Sequence, residues 1–311
     1  MTHSLHTHHE AAQSITLFSP SGVVAKGAML RLAARRLTKM GFETTLDESA
    51  LMRHQRFAGD DDTRLSALHR VARADTDIVM PGRGGYGLTR LLDRIDWKLI
   101  ARSISRGTRW VGYSDFTALQ LASLAHKAGN MVAGPMACDD FGRSEEHGGV
   151  DDVTQACFLE AMHGELEAVG FRTEPGHHGL EVRGTLWGGN LAMVQSLLGT
   201  PHWPRIKGGI LFLEDVNVHP YAIERMLLQL HQAGVLDAQK AIVLGAFTEF
   251  RKSPLDRGYT LKTMVQTVRA ATRTPVLTGL PFGHVHPKVT MPVGERVMLS
   301  VEGRDAFIVW G

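Results

Sequence analysis

At 311 residues the chain is long for a single core, so two domains are expected, and 43% apolar with 21% charged residues is the composition of an ordinary folded protein. A formal net charge of +2 without a lysine or arginine block argues against a nucleic-acid surface or a polybasic membrane patch. The two cysteines, Cys138 and Cys157, make neither a disulfide framework nor a zinc motif.

The opening stretch, MTHSLHTHHEAAQ, has neither the basic segment nor the long apolar run of a secretion signal. No later stretch approaches 18 apolar residues, so the cytoplasm is the expected compartment. His3, His6, His8 and His9 read as a polar terminus rather than a metal site. ITLFSPSG, at 15–22, reads as a strand entering a turn. Leu30, Ala33, Leu37 and Met40 recur at helical spacing up to Gly41, and residues 42–46 make a second short strand. Leu65, Leu68 and Ala72 mark the next helix, DIVMP at 77–81 a strand, residues 88–104 a helix, and a further strand ends at Gly112. A helix then runs from Asp115 to near Gly129, followed by the strand MVAGP. This alternation predicts a parallel-sheet α/β sandwich over residues 1–150.

CDDFGRSEEHGGVDD is polar and rich in glycine, and reads as an exposed connector. With a helix at 153–163 and the soft stretch EPGHHG it leads through 151–179 to a second domain, 180–311. There the alternation resumes with the strand in RIKGGILFLED, a helix from Pro220 to Gln232, the strand AIVLG and a helix from Tyr259 to Ala271. VMLSVEG and DAFIVW alternate like antiparallel strands around a tight turn, so this domain is expected to be mixed and rich in β structure.

VGYSDFTAL, at 111–119, places Ser114 where a strand turns sharply into a helix. Such a turn exposes a hydroxyl beside backbone N–H groups, with the positive helix end directed at charge forming on a carbonyl oxygen. A helix N-cap needs only an oxygen at the same junction, so both roles stay open. A nucleophilic serine needs a base, and among 16 histidines His284 stands out in the Gly/Pro-rich loop GLPFGHVHPK. His286, two residues on, shares a face with it in an extended stretch, and the pattern does not separate the two. An HxH pair also suits a metal, but no carboxylate–histidine cluster completes a ligand set. The base needs an orienting acid, and GGILFLEDV ends an apolar strand with Glu214 and Asp215. Asp215 could instead cap the turn before the Pro220 helix. PGRGGYGLTRLLD, at 81–93, is not a nucleotide loop, yet Gly82, Gly84, Gly85 and Gly87 between strand and helix suit an anion-binding nest. It could supply a second oxyanion donor opposite Ser114, and Arg83 could meet a substrate carboxylate.

Five segments in order, PGRGGYGLTRLLDRIDW, VGYSDFTALQLA, GTLWGGNLAMVQSLLGT, ILFLEDV with PYAIERML, and GLPFGHVHPKVTMPVG, resemble the LD-carboxypeptidases, the murein tetrapeptide carboxypeptidases of serine peptidase family S66. The resemblance runs from about Ile15 to Val301. It implies a flavodoxin- or class I amidotransferase-like N-terminal sandwich, a β-rich C-terminal domain and an active site between them. It implies a Ser–His–Glu triad on Ser114, His284 and Glu214, with the histidine after Pro-Phe-Gly favoured over His286. The Gly85 and Asp115 amides fall on the oxyanion donors. It further implies a cytoplasmic homodimer without metal or organic cofactor that releases D-alanine from murein tetrapeptide during cell-wall recycling. Arg83, Lys288 or nearby amides are candidates for the peptide's terminal carboxylate. Two departures stand out: Ala133 replaces a frequent histidine, and Asn217 and Val218 replace a frequent Gly-Glu pair. Relatives in the family act on microcin C-like peptide–nucleotide conjugates, which is the alternative substrate class. The α/β pattern by itself also fits a flavodoxin-like or amidotransferase-like binding module, but the chain lacks a cysteine elbow.

Overall fold

The computed structural model describes residues 12–311, so the histidine-bearing N-terminus lies outside the described residues. The first part alternates as its hydrophobic periods require: β1 (Ser14–Phe18), α1 (Gly27–Lys39), β2 (Glu43–Leu46), α2 (Asp61–Arg73), β3 (Ile78–Pro81), α3 (Trp97–Ser105), β4 (Arg109–Gly112), α4 (Phe116–Ala125) and β5 (Met131–Ala133). Leu30, Ala33 and Leu37 form the buried stripe of α1, and Asp60 caps α2 by accepting from the Thr63 amide. The helix expected over 88–104 is shorter. Two 3₁₀ turns, Leu88–Arg90 and Leu92–Arg94, precede α3, and Asp96 starts that helix by accepting from the Leu99 amide.

The second part contains α5 (Asp152–His163), β6 (Ala168–Arg172), β7 (Glu181–Asn190), α6 (Leu191–Leu197), β8 (Ile210–Val216), α7 (Pro220–Gln232), β9 (Ala241–Thr248), α8 (Leu261–Ala271) and β10 (Val276–Thr278). It closes with β11 (Met291–Val293), β12 (Arg296–Glu302) and β13 (Asp305–Val309). Two sheets result, in the orders β11-β5-β4-β3-β1-β2 and β10-β9-β8-β7-β12-β13-β6. In the first, β1 to β5 are parallel and β11 is antiparallel. In the second, β7 to β10 are parallel and the β12, β13, β6 edge is antiparallel. The fold is therefore α/β, with a parallel-sheet N-terminal part and a mixed C-terminal sheet.

Chain order and sheet membership differ at two strands. β6, within the 151–179 segment, is an edge strand of the second sheet, whereas β11 returns from the C-terminal part to pair with β5 in the first. Both are short edge strands whose partners lie more than 100 residues away, which local pattern does not encode. One apolar cluster joins the two parts, packing Trp110, Phe116 and Leu119 with Trp187, Leu191 and Val194. Helix α4 lies in the middle of this contact, with Phe116 to Ser123 all buried, so it is enclosed on every side. No helix among the described residues is long and apolar enough to cross a membrane.

Candidate active site

Strand β4 ends at Gly112, where an added Cβ would stand 2.8 Å from the Phe116 ring, so only glycine admits this close a turn. Ser114 follows in the left-handed region with φ of 61°, a conformation that costs a non-glycine residue of order 1–3 kcal/mol. Its side chain does not cap α4. The hydroxyl instead lies 3.2 Å from His284 Nε2, and its neighbour Asp115 occupies the N-cap position without a side-chain cap bond.

His284 arrives from 170 residues away on the loop that leaves β10 in the second sheet and enters β11 in the first. Two backbone bonds clamp this loop onto β9: Leu280 N donates to Leu244 O at 3.3 Å, and Ala246 N to Phe282 O at 2.9 Å. Gly283 has φ of 132°, and an added Cβ there would lie 3.0 Å from Glu214 Oε2. The imidazole stands edge-on to Tyr113, with ring centroids 4.9 Å apart, and its Nδ1 lies 2.9 Å from Glu214 Oε2. His286 does not reach the serine and faces Asp140 instead, at 3.6 Å. Burial holds the His286 pKa below the usual imidazole range, against the opposing pull of Asp140.

Glu214 is 0% exposed. Its second oxygen accepts from Asn190 Nδ2 at 3.2 Å, so both carboxylate oxygens are partnered. Asp215 has a different task from the one expected before α7. It accepts from the Ala192 amide at 2.9 Å and from Asn190 Nδ2 at 3.1 Å, which fastens α6 rather than α7. His219 caps α7. Burial pushes the Asp215 carboxyl above the ordinary carboxylate range. Asn190, absent from the sequence-based candidates, ties the parts together, because its own amide donates to Thr117 Oγ1 of α4 at 3.1 Å. Its signal was an asparagine just before a helix, where its side chain accepts from the Met193 amide.

The glycine loop after β3 lies against the serine. An added Cβ on Gly84 would meet Ser114 Oγ at 2.6 Å and Asp115 N at 3.3 Å. Gly85, with φ of 105°, follows directly. The buried Asp115 carboxylate accepts from the Leu88 amide at 3.0 Å and so fixes the far end of this loop. Burial pushes the Asp115 carboxyl up, partly offset by hydrogen bonds. Arg83 lines the cleft. Lys288 does not. Its ammonium is fully buried, 2.8 Å from Asp140 Oδ1 and 3.7 Å from the centroid of the Tyr113 ring, so it is unavailable to a carboxylate in the cleft. The pair therefore stands behind the ring that backs His284.

These groups open into a cleft of about 1060 Å³ walled by Arg83, Gly85, Ser114, Asp139, Asn190 and His284, among others. Asn217 and Val218 also line it, whereas Ala133 is buried in β5. Asn217 sits at φ of 61°, a conformation that asparagine tolerates better than most residues in place of glycine. Burial pushes the Cys138 thiol up to about 12, which leaves no thiolate to compete with Ser114.

The LD-carboxypeptidase N-terminal domain matches residues 15–134, and the C-terminal domain of the same family matches residues 183–299. A probable murein peptide carboxypeptidase of Bacillus subtilis is 31% identical over 280 residues, which cover 88% of this chain and 85% of the relative. The crystal structure of a muramoyltetrapeptide carboxypeptidase from Oxalobacter formigenes superposes with a TM-score of 0.86 at 38% identity, covering 96% of this chain and 99% of that one. A microcin C7 self-immunity protein of Escherichia coli is 28% identical, covering 76% of this chain and 75% of its own.

Proposed function

The chain belongs to the LD-carboxypeptidase family, and we propose that it hydrolyses the L,D amide of murein tetrapeptide to release the terminal D-alanine. The observation that carries this reading is the hydrogen-bonded series Ser114 Oγ, His284 Nε2, His284 Nδ1 and Glu214 Oε2, at 3.2 and 2.9 Å. In it His284 takes the serine proton as Oγ attacks the amide carbonyl. It then returns that proton to the leaving nitrogen. Glu214 selects the tautomer with the proton on Nδ1 and stabilises the imidazolium formed in between.

The oxyanion is received by the amides of Gly85 and Asp115, next to the hydroxyl and at the start of α4. Gly84 keeps that space open, since any side chain there would collide with Oγ. Arg83 takes the peptide's terminal carboxylate, which an exopeptidase must recognise to distinguish a chain end from an internal bond. The reading includes a cytoplasmic homodimer acting in cell-wall recycling.

Incubation with L-alanyl-γ-D-glutamyl-meso-diaminopimelyl-D-alanine is expected to yield tripeptide and free D-alanine, followed by mass spectrometry. The likeness to a microcin C7 self-immunity protein supports a second reading, cleavage of a microcin C-like peptide–nucleotide conjugate. Cleavage of such a conjugate with an inert tetrapeptide would replace the first reading by the second.

A further inference from the structure

Two oppositely charged side chains in the cleft wall have not used one another. Arg83 has a buried Nε without a hydrogen-bond partner, and its Nη1 reaches Val23 O only at 3.4 Å. Asp139 follows Cys138, whose amide donates to the carbonyl of Gly82 at 2.8 Å, so Arg83 and Asp139 are the next residues along their segments from that bond. Among the described residues Asp139 forms no ion pair, because the nearby cations, Lys288 and His286, are turned to Asp140 instead. Both side chains line the same cleft as Ser114 and His284. Burial and the neighbouring Asp140 push the Asp139 carboxyl up, against the pull of Arg83, Lys288 and His284. A buried guanidinium nitrogen without a partner and a half-buried carboxylate without an ion pair are costly, and the cost is recovered when a ligand supplies both partners.

We propose that Arg83 and Asp139 form a two-point site for the terminal amino acid of the peptide, Arg83 taking its carboxylate and Asp139 its nitrogen. This rests on the reading that the chain removes a terminal residue, and it adds how that residue is held. In an α-amino acid both groups sit on one carbon, so a guanidinium and a carboxylate in adjacent wall segments meet them together. Before cleavage the scissile nitrogen offers Asp139 one N–H. When the C–N bond breaks, the proton taken from Ser114 Oγ passes through His284 to that nitrogen, and the freed amine takes a second proton from water. The product is a zwitterion, and Asp139 then faces a full ammonium. The site thus holds free D-alanine more tightly than a carboxylate that lacks the amine, and it makes D-alanine a competitive product inhibitor.

Calorimetric titration with D-alanine and D-lactate tests this without turnover. The protein is expected to bind D-alanine at least about tenfold more tightly than D-lactate, the ratio a charge-assisted hydrogen bond supplies. Asp139→Asn should bring that ratio close to one by lowering D-alanine affinity without weakening D-lactate, and Arg83→Gln should weaken both ligands. Equal affinities in the unaltered protein overturn the site, a comparison that needs no variant to fold. An undiminished preference in a folded Asp139→Asn also overturns it. If the tetrapeptide is cleaved but the two ligands bind equally, the site falls and the peptidase reading stands. If D-alanine is preferred and the preference is lost in Asp139→Asn, yet no tetrapeptide is cleaved, the site stands and that reading falls.

Discussion

The turn at 112–117 and the loop at 279–290 deliver two groups to one hydrogen bond by opposite means. In the turn, most of what positions Ser114 is close in sequence: the end of β4, a left-handed φ of 61° and the first turn of α4. In the loop, what positions His284 is distant. The backbone clamps come from β9, the carboxylate from β8, the edge-on ring from Tyr113, and the two ends of the loop belong to different sheets. A locally built feature survives small changes elsewhere, whereas a feature assembled by tertiary contacts registers changes in any of its supports.

The largest expected effect comes from removing the hydroxyl. Ser114→Ala should lower kcat by at least about a thousandfold with little change in KM. Because no cap bond is lost, its melting temperature should stay within about 2 °C of the parent. Normal turnover with a lowered melt would restore the N-cap role. His284→Ala should be comparably damaged, while His286→Ala should keep kcat within about threefold, since His286 faces Asp140 and not the serine. A dead His286 variant beside an active His284 variant would reverse the assignment.

Next in size is the buried pair behind Tyr113. Lys288→Met strands the Asp140 carboxylate at zero exposure and should cost about 3–5 kcal/mol in urea unfolding. Adding Asp140→Asn should restore part of that, because it removes the stranded charge while keeping an acceptor for the Met136 amide. If the double variant remains as unstable as the single one, the pair has a structural role beyond mutual neutralisation.

The loop can be disturbed with a single methyl group. Gly283→Ala introduces a Cβ 3.0 Å from Glu214 Oε2 at a φ of 132°, so the contact between histidine and glutamate must give. A fall in kcat of about ten- to a hundredfold is expected, with binding of the tetrapeptide retained. An unchanged kcat would mean that the loop has more latitude than its contacts suggest.

The smallest effect concerns Asp115, in the turn itself. Its carboxyl is raised in the folded state by burial, so the fold binds that proton more tightly than the unfolded chain does. Stability from this group is therefore full below the unfolded value of about 3.9 and is lost as pH rises through the folded one. Asp115→Asn keeps an acceptor for the Leu88 amide and removes the charge. Urea melts between pH 4 and 7 should show the parent losing stability relative to this variant as pH rises. Parallel pH profiles would show that Asp115 does not titrate in that window.

The sequence by itself determined the strand–turn–helix that lifts Ser114, the parallel alternation of the first part and the antiparallel end, because each is written in hydrophobic period and turn residues within a dozen positions. It marked Glu214 as an acid at the end of an apolar strand and His284 as a histidine in a glycine- and proline-rich loop, but it could separate His284 from His286 only through family resemblance. Tertiary structure decided that choice of geometry, bringing one imidazole to Oγ and turning the other to Asp140. It also decided that Lys288 is buried and out of reach of the cleft, that Asp215 fastens α6, and that Asn190 links the helix behind the serine to the acid. Strands β7 and β11 escaped the periodic pattern for the same reason. Glycines interrupt one and proline the other, and each is defined by the partner strand it meets rather than by its own residues. Local propensity acts over a few residues. A buried charge, by contrast, takes its role from whatever group the folded chain places within hydrogen-bonding distance.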